Sequence, residues 1–316
     1  MVAFMTRSSN YKMLRMRGIL SYLRSHWILY AMLLLPIVQY ILFRYMPLYG
    51  LQIAFKDYSV YRGISESPWV GFDVFREVFR MPNFWQSVRN TMMLNVLTVL
   101  VGFPAPIILA LLLNELRNGI FKKVTQTILY LPHFISWVII GGMMYQIFST
   151  SSGLVNNMLK ALTGNTIPFL TNNFWWVFTY FLVSIWHDIG WSAIIFMSAM
   201  TGIDAEIYEA ASVDGCSRFR MMYKITLPSI MPTIAIVLIL KVGSLATIGF
   251  EQPLSMQNDT ILQVGDVIST YAYRIGIKSN RFNIATAITF AQSVINFILV
   301  LVANKTSNKL TGEGLW

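Results

Sequence analysis

Six long apolar runs constrain this sequence more than any other feature. A helix needs about 20 mostly apolar residues to cross the hydrocarbon core of a bilayer. The chain has 316 residues, of which 55% are hydrophobic and only 12% are charged, whereas a soluble domain carries about 25% charged residues. The sequence therefore predicts an all-α, polytopic membrane protein with about six transmembrane helices, at residues 27–47, 88–113, 124–148, 174–200, 229–250 and 285–303.

Several of these runs contain residues that bend helices. Pro36 lies in the first run, Pro104 and Pro106 lie in the second, and Pro132 lies in the third. Such residues are tolerated in membrane helices because neighbouring groups can satisfy the freed backbone. We expect them to mark bends.

The placement of Lys and Arg predicts the orientation of the helices. Cytoplasmic loops carry an excess of these residues, and residues 1–26 form a basic tail without a single carboxylate. Further basic residues follow the second and fourth runs and the last one: Arg117, Lys122, Lys123, Arg218, Arg220, Lys224, Lys305 and Lys309. The loop 149–173 has only Lys160, although the loop 44–89 fits less well with six basic residues. We expect both termini in the cytoplasm of a bacterium, with the chain in its inner membrane.

This pattern divides the chain into four parts. Residues 1–26 are a basic cytoplasmic tail, 27–87 hold the first transmembrane helix and an outer loop, 88–303 form the core, and 304–316 are a cytoplasmic tail. The polar segment 251–281 between the last two helices is either a surface for an external partner or a solvated connector.

Charge and cysteine content exclude several classes of function. The net charge of +10 is placed as expected for membrane topology, so it does not indicate nucleic-acid binding. Cys216 is the only cysteine, and the three histidines are scattered at His26, His133 and His187. The sequence therefore predicts no intrachain disulfide, no metal centre and no cofactor held by this chain.

The loop after the fourth run has a residue pattern that indicates regular secondary structure. Ile203, Ile207, Ala210 and Ala211 recur at helical spacing. Asp204 can cap the start of that helix, and Gly215 permits a reversal at its end. A second apolar face follows at Phe219, Met222 and Ile225, before Pro228. This predicts two short helices on the cytoplasmic surface, suited to a groove on another protein.

The same loop resembles the EAA loop of permease subunits in binding-protein-dependent ATP-binding-cassette (ABC) importers. The residues that match are Glu209, Ala210, Ala211, Asp214, Gly215, Phe219, Ile225, Leu227 and Pro228. The runs TQTILYLPHFISWVIIGGMMYQIF and GFEQPLSMQN and the closing GEGLW are similar to the sugar-importing branch. The most specific resemblance is to the first permease subunit of alginate-oligosaccharide importers, although no residue identifies alginate.

The resemblance implies a type I importer permease that works with partners. These would be a second, homologous permease, two ABC ATPase subunits and an extracytoplasmic solute-binding protein that delivers an oligosaccharide. Glu209 and its helix would contact the ATPase. No G-x-x-x-x-G-K-[ST] phosphate loop occurs in the chain, so ATP and Mg²⁺ would bind to the ATPase, and this subunit is not expected to be an enzyme.

Two charged residues lie inside the predicted helices. Asp188, between Trp186 and Trp191, is near the middle of the fourth run, and Lys241 is in the fifth. An intramembrane charge costs at least a few kcal/mol unless it is paired or wet. These four residues could line a sugar path, or Asp188 and Lys241 could pair with each other or with the second permease.

Other polar and aromatic residues suggest helix contacts. Asn90 and Asn95 are expected to join helices by hydrogen bonds, and Trp175 and Trp176 to lie in the interfacial aromatic belt. A secondary sugar transporter driven by an ion gradient is the alternative function, but it would need paired broken helices or a carboxylate relay.

Overall fold

A computed structural model describes residues 25–116 and 119–311 of the chain. In these residues the secondary structure is helical apart from an isolated antiparallel bridge between Lys56 and Trp69. The helices of the first half are α1 (Trp27–Tyr40), α2 (Gly63–Glu66), α3 (Asp73–Arg80), α4 (Pro82–Leu97), α5 (Pro104–Asn114), α6 (Gly119–Tyr130), α7 (Trp137–Phe148) and α8 (Leu154–Thr163). Those of the second half are α9 (Asn173–Met200), α10 (Ala205–Val213), α11 (Arg218–Met221), α12 (Leu227–Ser229), α13 (Met231–Gly243), α14 (Glu251–Met256), α15 (Leu262–Gly265), α16 (Ile268–Tyr273) and α17 (Phe282–Thr311). The all-α prediction is confirmed, while most of the basic tail lies outside the described residues.

Short helical turns of other geometry extend or join these helices. Three are 3₁₀ turns, at Met46–Phe55, Leu131–Phe134 and Asp259–Ile261. Four are π turns, at Ile41–Tyr45, Thr98–Gly102, Met222–Thr226 and Arg274–Lys278.

The membrane-spanning candidates agree with the six apolar runs. Four continuous helical stretches are long and apolar enough to cross a bilayer: Trp27–Phe55, Pro82–Asn114, Asn173–Met200 and Phe282–Thr306. Two further stretches qualify as bent pairs, Gly119–Phe134 with Trp137–Phe148 at 101° and Arg218–Ser229 with Met231–Gly243 at 60°. The described residues therefore hold six spans if each bent pair counts as one. The first bend follows the 3₁₀ turn Leu131–Phe134, which contains Pro132, so a bend lies close to this predicted position.

Three buried clusters hold the helices together. One lies between α3, the start of α4, α16 and the start of α17, a second between α4, α7 and α9, and a third between α5 and the end of α9. Trp176 is fully buried in the second cluster, where its indole N–H donates to the carbonyl oxygen of Met256 at 2.9 Å. Its expected place in an aromatic belt is therefore wrong, because the indole N–H finds its partner inside the protein.

The fifth span ends earlier than its hydropathy predicts. Helix α13 stops at Gly243, and residues 244–250 leave the helix. Side-chain amides replace the lost backbone bonds: Asn95 donates to the Leu245 carbonyl at 2.6 Å, Gln292 donates to that of Ala246 at 2.5 Å, and Asn296 accepts from the Ala246 N–H at 3.1 Å. Irregular backbone at membrane depth is tolerated where protein groups satisfy it. We call residues 244–250 the unwound segment.

The outer segment 251–281 is folded. Ile261 and Ile268 are buried, and Asn90 of α4 donates to the carbonyl oxygens of Gln263 and Asp266, both at 3.0 Å. Both predicted asparagines thus join separate elements. Burial raises the pKa of the Asp266 carboxyl above its usual range, although the Thr270 hydroxyl and the Arg274 guanidinium act in the opposite direction. The solvated-connector interpretation of this segment is wrong.

Candidate functional site

Asp188 and Lys241 line the same pair of adjoining cavities. Asp188 projects from α9 and Lys241 from α13, and both border one cavity of about 170 Å³ and another of about 180 Å³. The first cavity is mostly apolar. The second is lined mainly by polar side chains from α4 and the π turn after it, α9, α13, the unwound segment and α14: Asn95, Thr98, Ser184, Asp188, Lys241, Ser244, Thr247 and Gln252. Amides and hydroxyls both donate and accept hydrogen bonds, so this wall suits a polyhydroxylated ligand.

The two charges do not neutralise each other. The Asp188 carboxylate contacts two histidines, with Oδ1 at 3.1 Å from His133 Nδ1 and 2.7 Å from His187 Nδ1. Within the part of the chain described, Lys241 forms no ion pair, and its side chain is exposed. The expectation that Asp188 and Lys241 pair with each other is therefore not met, and an ammonium group remains at the cavity wall.

The tryptophans beside Asp188 separate into two environments. Trp191 stacks on His133, with ring centroids 4.7 Å apart and planes 6° from parallel. Trp186 lies outside the lining of both cavities and is 40% exposed. Neither tryptophan lines the cavities, and Trp191 is connected to them only through His133, which contacts the cavity residue Asp188.

His133 is a site residue that sequence spacing does not reveal. It lies in the 3₁₀ turn Leu131–Phe134 at the break of the third span, 55 positions before Asp188. The two elements approach closely at Gly190, where a Cβ atom would overlap the carbonyl oxygen of Leu129. Nothing in the local pattern around either residue signals this approach.

The loop between α9 and α13 has the predicted construction. The Asp204 carboxylate accepts from the Glu206 N–H at 3.0 Å and so caps α10. Gly215 has φ of +72°, and the Cys216 N–H donates to the Ala211 carbonyl at 2.9 Å. This left-handed glycine with a bond across five residues is a common helix ending. The predicted cap and reversal are confirmed.

The loop exposes one side and anchors the other. No residue of α10 is buried, and among the residues of the resemblance the exposed ones are Glu209, Ala210, Asp214, Gly215, Phe219 and Pro228. Ala211, Ile225 and Leu227 are half-buried, and Leu227 packs against the cluster of α5 and α9. The exposed Val213 and Phe219 present apolar area at the surface. Such a patch is typical of a protein-binding surface.

Two contacts fix the loop to the helices behind it. Arg218 lies 3.6 Å from the Glu115 carboxylate, just after α5. The Tyr208 hydroxyl lies 2.9 Å from that of Thr226, which is 1% exposed. These contacts tie the loop to the ends of two spans.

Residues 102–310 match the family described as "Binding-protein-dependent transport system inner membrane component". Two curated proteins of Bacillus subtilis (strain 168) are similar over nearly their whole length. Protein LplB is 43% identical over 293 residues, 93% of this chain and 92% of LplB. The polygalacturonan/rhamnogalacturonan transport system permease protein YteP is 40% identical over 288 residues, 91% of this chain and 90% of YteP.

The fold is also similar to a solved structure. A crystal structure of a bacterial ABC transporter involved in the import of the acidic polysaccharide alginate contains a chain that is 40% identical, with a TM-score of 0.84. The match covers 93% of this chain and 99% of that one. A chain in a second structure, of a bacterial alginate ABC transporter in complex with an alginate pentasaccharide-bound periplasmic protein, gives a TM-score of 0.83 at 40% identity.

Proposed function

This chain belongs to the family of binding-protein-dependent transport system inner membrane components, and from that premise we propose that it is the transmembrane permease subunit of an ABC importer for oligosaccharides. The observation that carries the proposal is the exposed two-helix loop from Asp204 to Pro228, with its left-handed Gly215. The loop is the surface on which an ATPase subunit would act. ATP and Mg²⁺ then belong to that partner, because this sequence has no phosphate loop.

The coupling follows from how the loop is attached. ATP closes the ATPase dimer, the loop moves with its ATPase, and Arg218, Tyr208 and Leu227 pass the movement to α5, α9 and α13. Glu209 and Phe219 are on the exposed side, available to the ATPase cleft. The bent third and fifth spans are the elements that re-orient around the path, as bistable elements do in other transporters.

The remaining subunits follow from the family. A second, homologous permease would complete the path, and an extracytoplasmic solute-binding protein would deliver the sugar. The Lys and Arg distribution supports an orientation with both termini and the loop in the cytoplasm.

The substrate we propose is an oligosaccharide that carries carboxylates. Lys241 offers an ammonium group, and the polar cavity wall offers amides and hydroxyls. YteP, by its description, belongs to a transport system for polygalacturonan and rhamnogalacturonan, and the structural relative imports alginate, an acidic polysaccharide. These likenesses support an acidic sugar without choosing among uronates.

A proline in the loop tests the coupling. Proline cannot adopt the Gly215 φ of +72°, because its own φ is fixed near −65°. It would also remove the Gly215 N–H, which donates to the Ser212 carbonyl at 3.1 Å. We expect Gly215→Pro to insert into the membrane normally but to lose ATP-driven uptake by at least about tenfold, which is roughly 1.4 kcal/mol. The assay is uptake by proteoliposomes that contain the whole importer.

Gly164→Pro is the matched control. Gly164 also has a left-handed φ, +76°, and its N–H donates to the Lys160 carbonyl at 3.0 Å, but it ends α8 in the loop of the opposite side. Uptake should survive in this variant. If Gly215→Pro transports as well as the unmodified chain, the coupling role of the loop is wrong.

A further inference from the structure

His133, His187 and Asp188 form a compact cluster where the broken third span meets α9. Each residue offers one ligand-type atom, and these atoms all lie within 4.8 Å of one another. Asp188 Oδ1 is shared, at 3.1 Å from His133 Nδ1 and 2.7 Å from His187 Nδ1. Two imidazoles thus converge on a single carboxylate oxygen.

The contacts of His187 are compatible with a metal ligand. Its Nε2 atom lies 3.4 Å from the Ile135 carbonyl oxygen, which can only accept a hydrogen bond. When Nε2 carries the proton of a neutral imidazole, Nδ1 presents its lone pair to the Asp188 carboxylate. In that tautomer a metal cation between Nδ1 and the carboxylate would be bound by both lone pairs, which are 2.7 Å apart.

The geometry suits a transition-metal ion. Ligands of a tetrahedral zinc ion are about 2.0–2.1 Å from it and therefore about 3.3 Å from one another. The two nitrogen–oxygen distances of 2.7 and 3.1 Å reach that spacing with shifts of a few tenths of an ångström, and the two imidazole nitrogens lie within 4.8 Å of each other. Imidazole ligands favour zinc, copper and nickel over magnesium and calcium.

The surroundings supply the rest of a metal site. The Ile135 carbonyl orients His187 in the way that outer hydrogen-bond partners orient metal-binding histidines. Trp137 covers His187 at a centroid distance of 4.2 Å, and Trp191 stacks on His133. The Asp188 side chain is 51% exposed and lines both cavities, so an ion has access from the cavities.

We propose that His133, His187 and Asp188 bind a divalent transition-metal ion, with zinc as the reference ion. The bound ion ties the 3₁₀ turn of the third span to α9, and it thereby slows any movement of one against the other. This departs from the sequence-based expectation of no metal centre. The proposal is independent of the substrate and of ATP coupling, because it concerns binding to the resting chain.

Metal binding is measured on the full chain, purified in detergent with its accompanying subunits and without a polyhistidine tag. Zinc is titrated in competition with a chromophoric chelator, and Co²⁺ serves as a visible-light probe of tetrahedral coordination. We expect one high-affinity ion per chain. His133→Gln, His187→Gln and Asp188→Asn should each lower zinc affinity by at least about 100-fold, since even outer-shell partners account for 10- to 100-fold.

His26→Gln is the matched control, because it removes the remaining histidine of the chain and should leave the affinity unchanged. His133→Cys adds a positive signature: a thiolate ligand introduces a near-ultraviolet charge-transfer band in the cobalt spectrum. The proposal is overturned if the unmodified chain binds zinc no more tightly than the three ligand variants do, or if cobalt gives only the weak spectrum of an octahedral aqua ion. Those results would leave His133, His187 and Asp188 as a hydrogen-bonded cluster that holds no metal.

Discussion

Lys241 is the residue whose surroundings most restrict which class of sugar the site could bind. Placing an ammonium group at membrane depth costs a few kcal/mol of free energy unless it is hydrated or paired with an opposite charge. Within the described residues no carboxylate pairs with it, and it borders a cavity whose wall is otherwise mostly neutral and polar. Such a group has most to gain from an anionic ligand. Asp188, the carboxylate that borders the same cavity, is already engaged by two histidines.

Replacing the charge of Lys241 tests the acidic-sugar assignment. A hydrogen bond to a charged group contributes about 1.5–3 kcal/mol, so Lys241→Gln should raise the KM for a uronate oligosaccharide by about tenfold or more. The KM for a neutral oligosaccharide should change little. Uptake by proteoliposomes at varied sugar concentration gives both values.

Lys160→Gln controls for a loss of positive charge away from the cavity, since Lys160 is in α8. Equal changes in KM for charged and neutral sugars would show that Lys241 does not recognise a carboxylate.

The broken third span depends on one close approach to α9. At Gly190 a Cβ atom would overlap the Leu129 carbonyl oxygen and come within 3.1 Å of the Tyr130 ring. Because Leu129 and Tyr130 end α6 just before the bend, this approach positions His133 beside Asp188. A larger residue at position 190 must move backbone.

Gly190→Ala should therefore destabilise the bundle. Overpacking a close contact costs about 1–3 kcal/mol, and the expected result is a lower Tm for the chain in detergent together with weaker zinc binding. Gly142→Ala is the control, because a Cβ at Gly142 meets nothing within 4 Å and alanine favours a helix. A Gly190→Ala chain as stable as Gly142→Ala would contradict the close approach.

A structural feature can be predicted from the sequence when all the residues that determine it lie in one segment. The spans follow from hydropathy, the cap at Asp204 and the reversal at Gly215 from local chemistry, and a bend close to Pro132 from the missing backbone donor. It fails for the unwound segment, because Leu245, Ala246 and Ile248 continue an apolar run. The amides that replace its helical bonds come from Asn95, 150 positions before Leu245, and from Gln292 and Asn296, 46 and 50 positions beyond Ala246.

The same limit applies to the site itself. Asp188 is visible in the sequence as a charge in an apolar run, whereas its partner His133 is in another span. Trp186 and Trp191 are equivalent in the sequence, yet only Trp191 contacts the cluster. Such pairings depend on the distance between helices, which no local pattern specifies.

On the scale of the whole molecule, the cavities and the loop are at separate places on the same helices. The cavities lie along α9 and α13, and the loop joins the end of α9 to the start of α13. Helix α1 has no buried residue and contributes to neither feature. The loop and the cavities therefore share α9 and α13, which is consistent with the proposed coupling of the loop to the transport path.

The most direct test of this account is uptake of a labelled uronate oligosaccharide by proteoliposomes that contain the complete importer and its binding protein. We expect accumulation against a gradient when ATP and Mg²⁺ are supplied on the side of the ATPase subunits, and none with a non-hydrolysable analogue. Proton or sodium gradients alone should drive no uptake. Accumulation driven by an ion gradient in the absence of ATP would contradict the account and identify a secondary transporter.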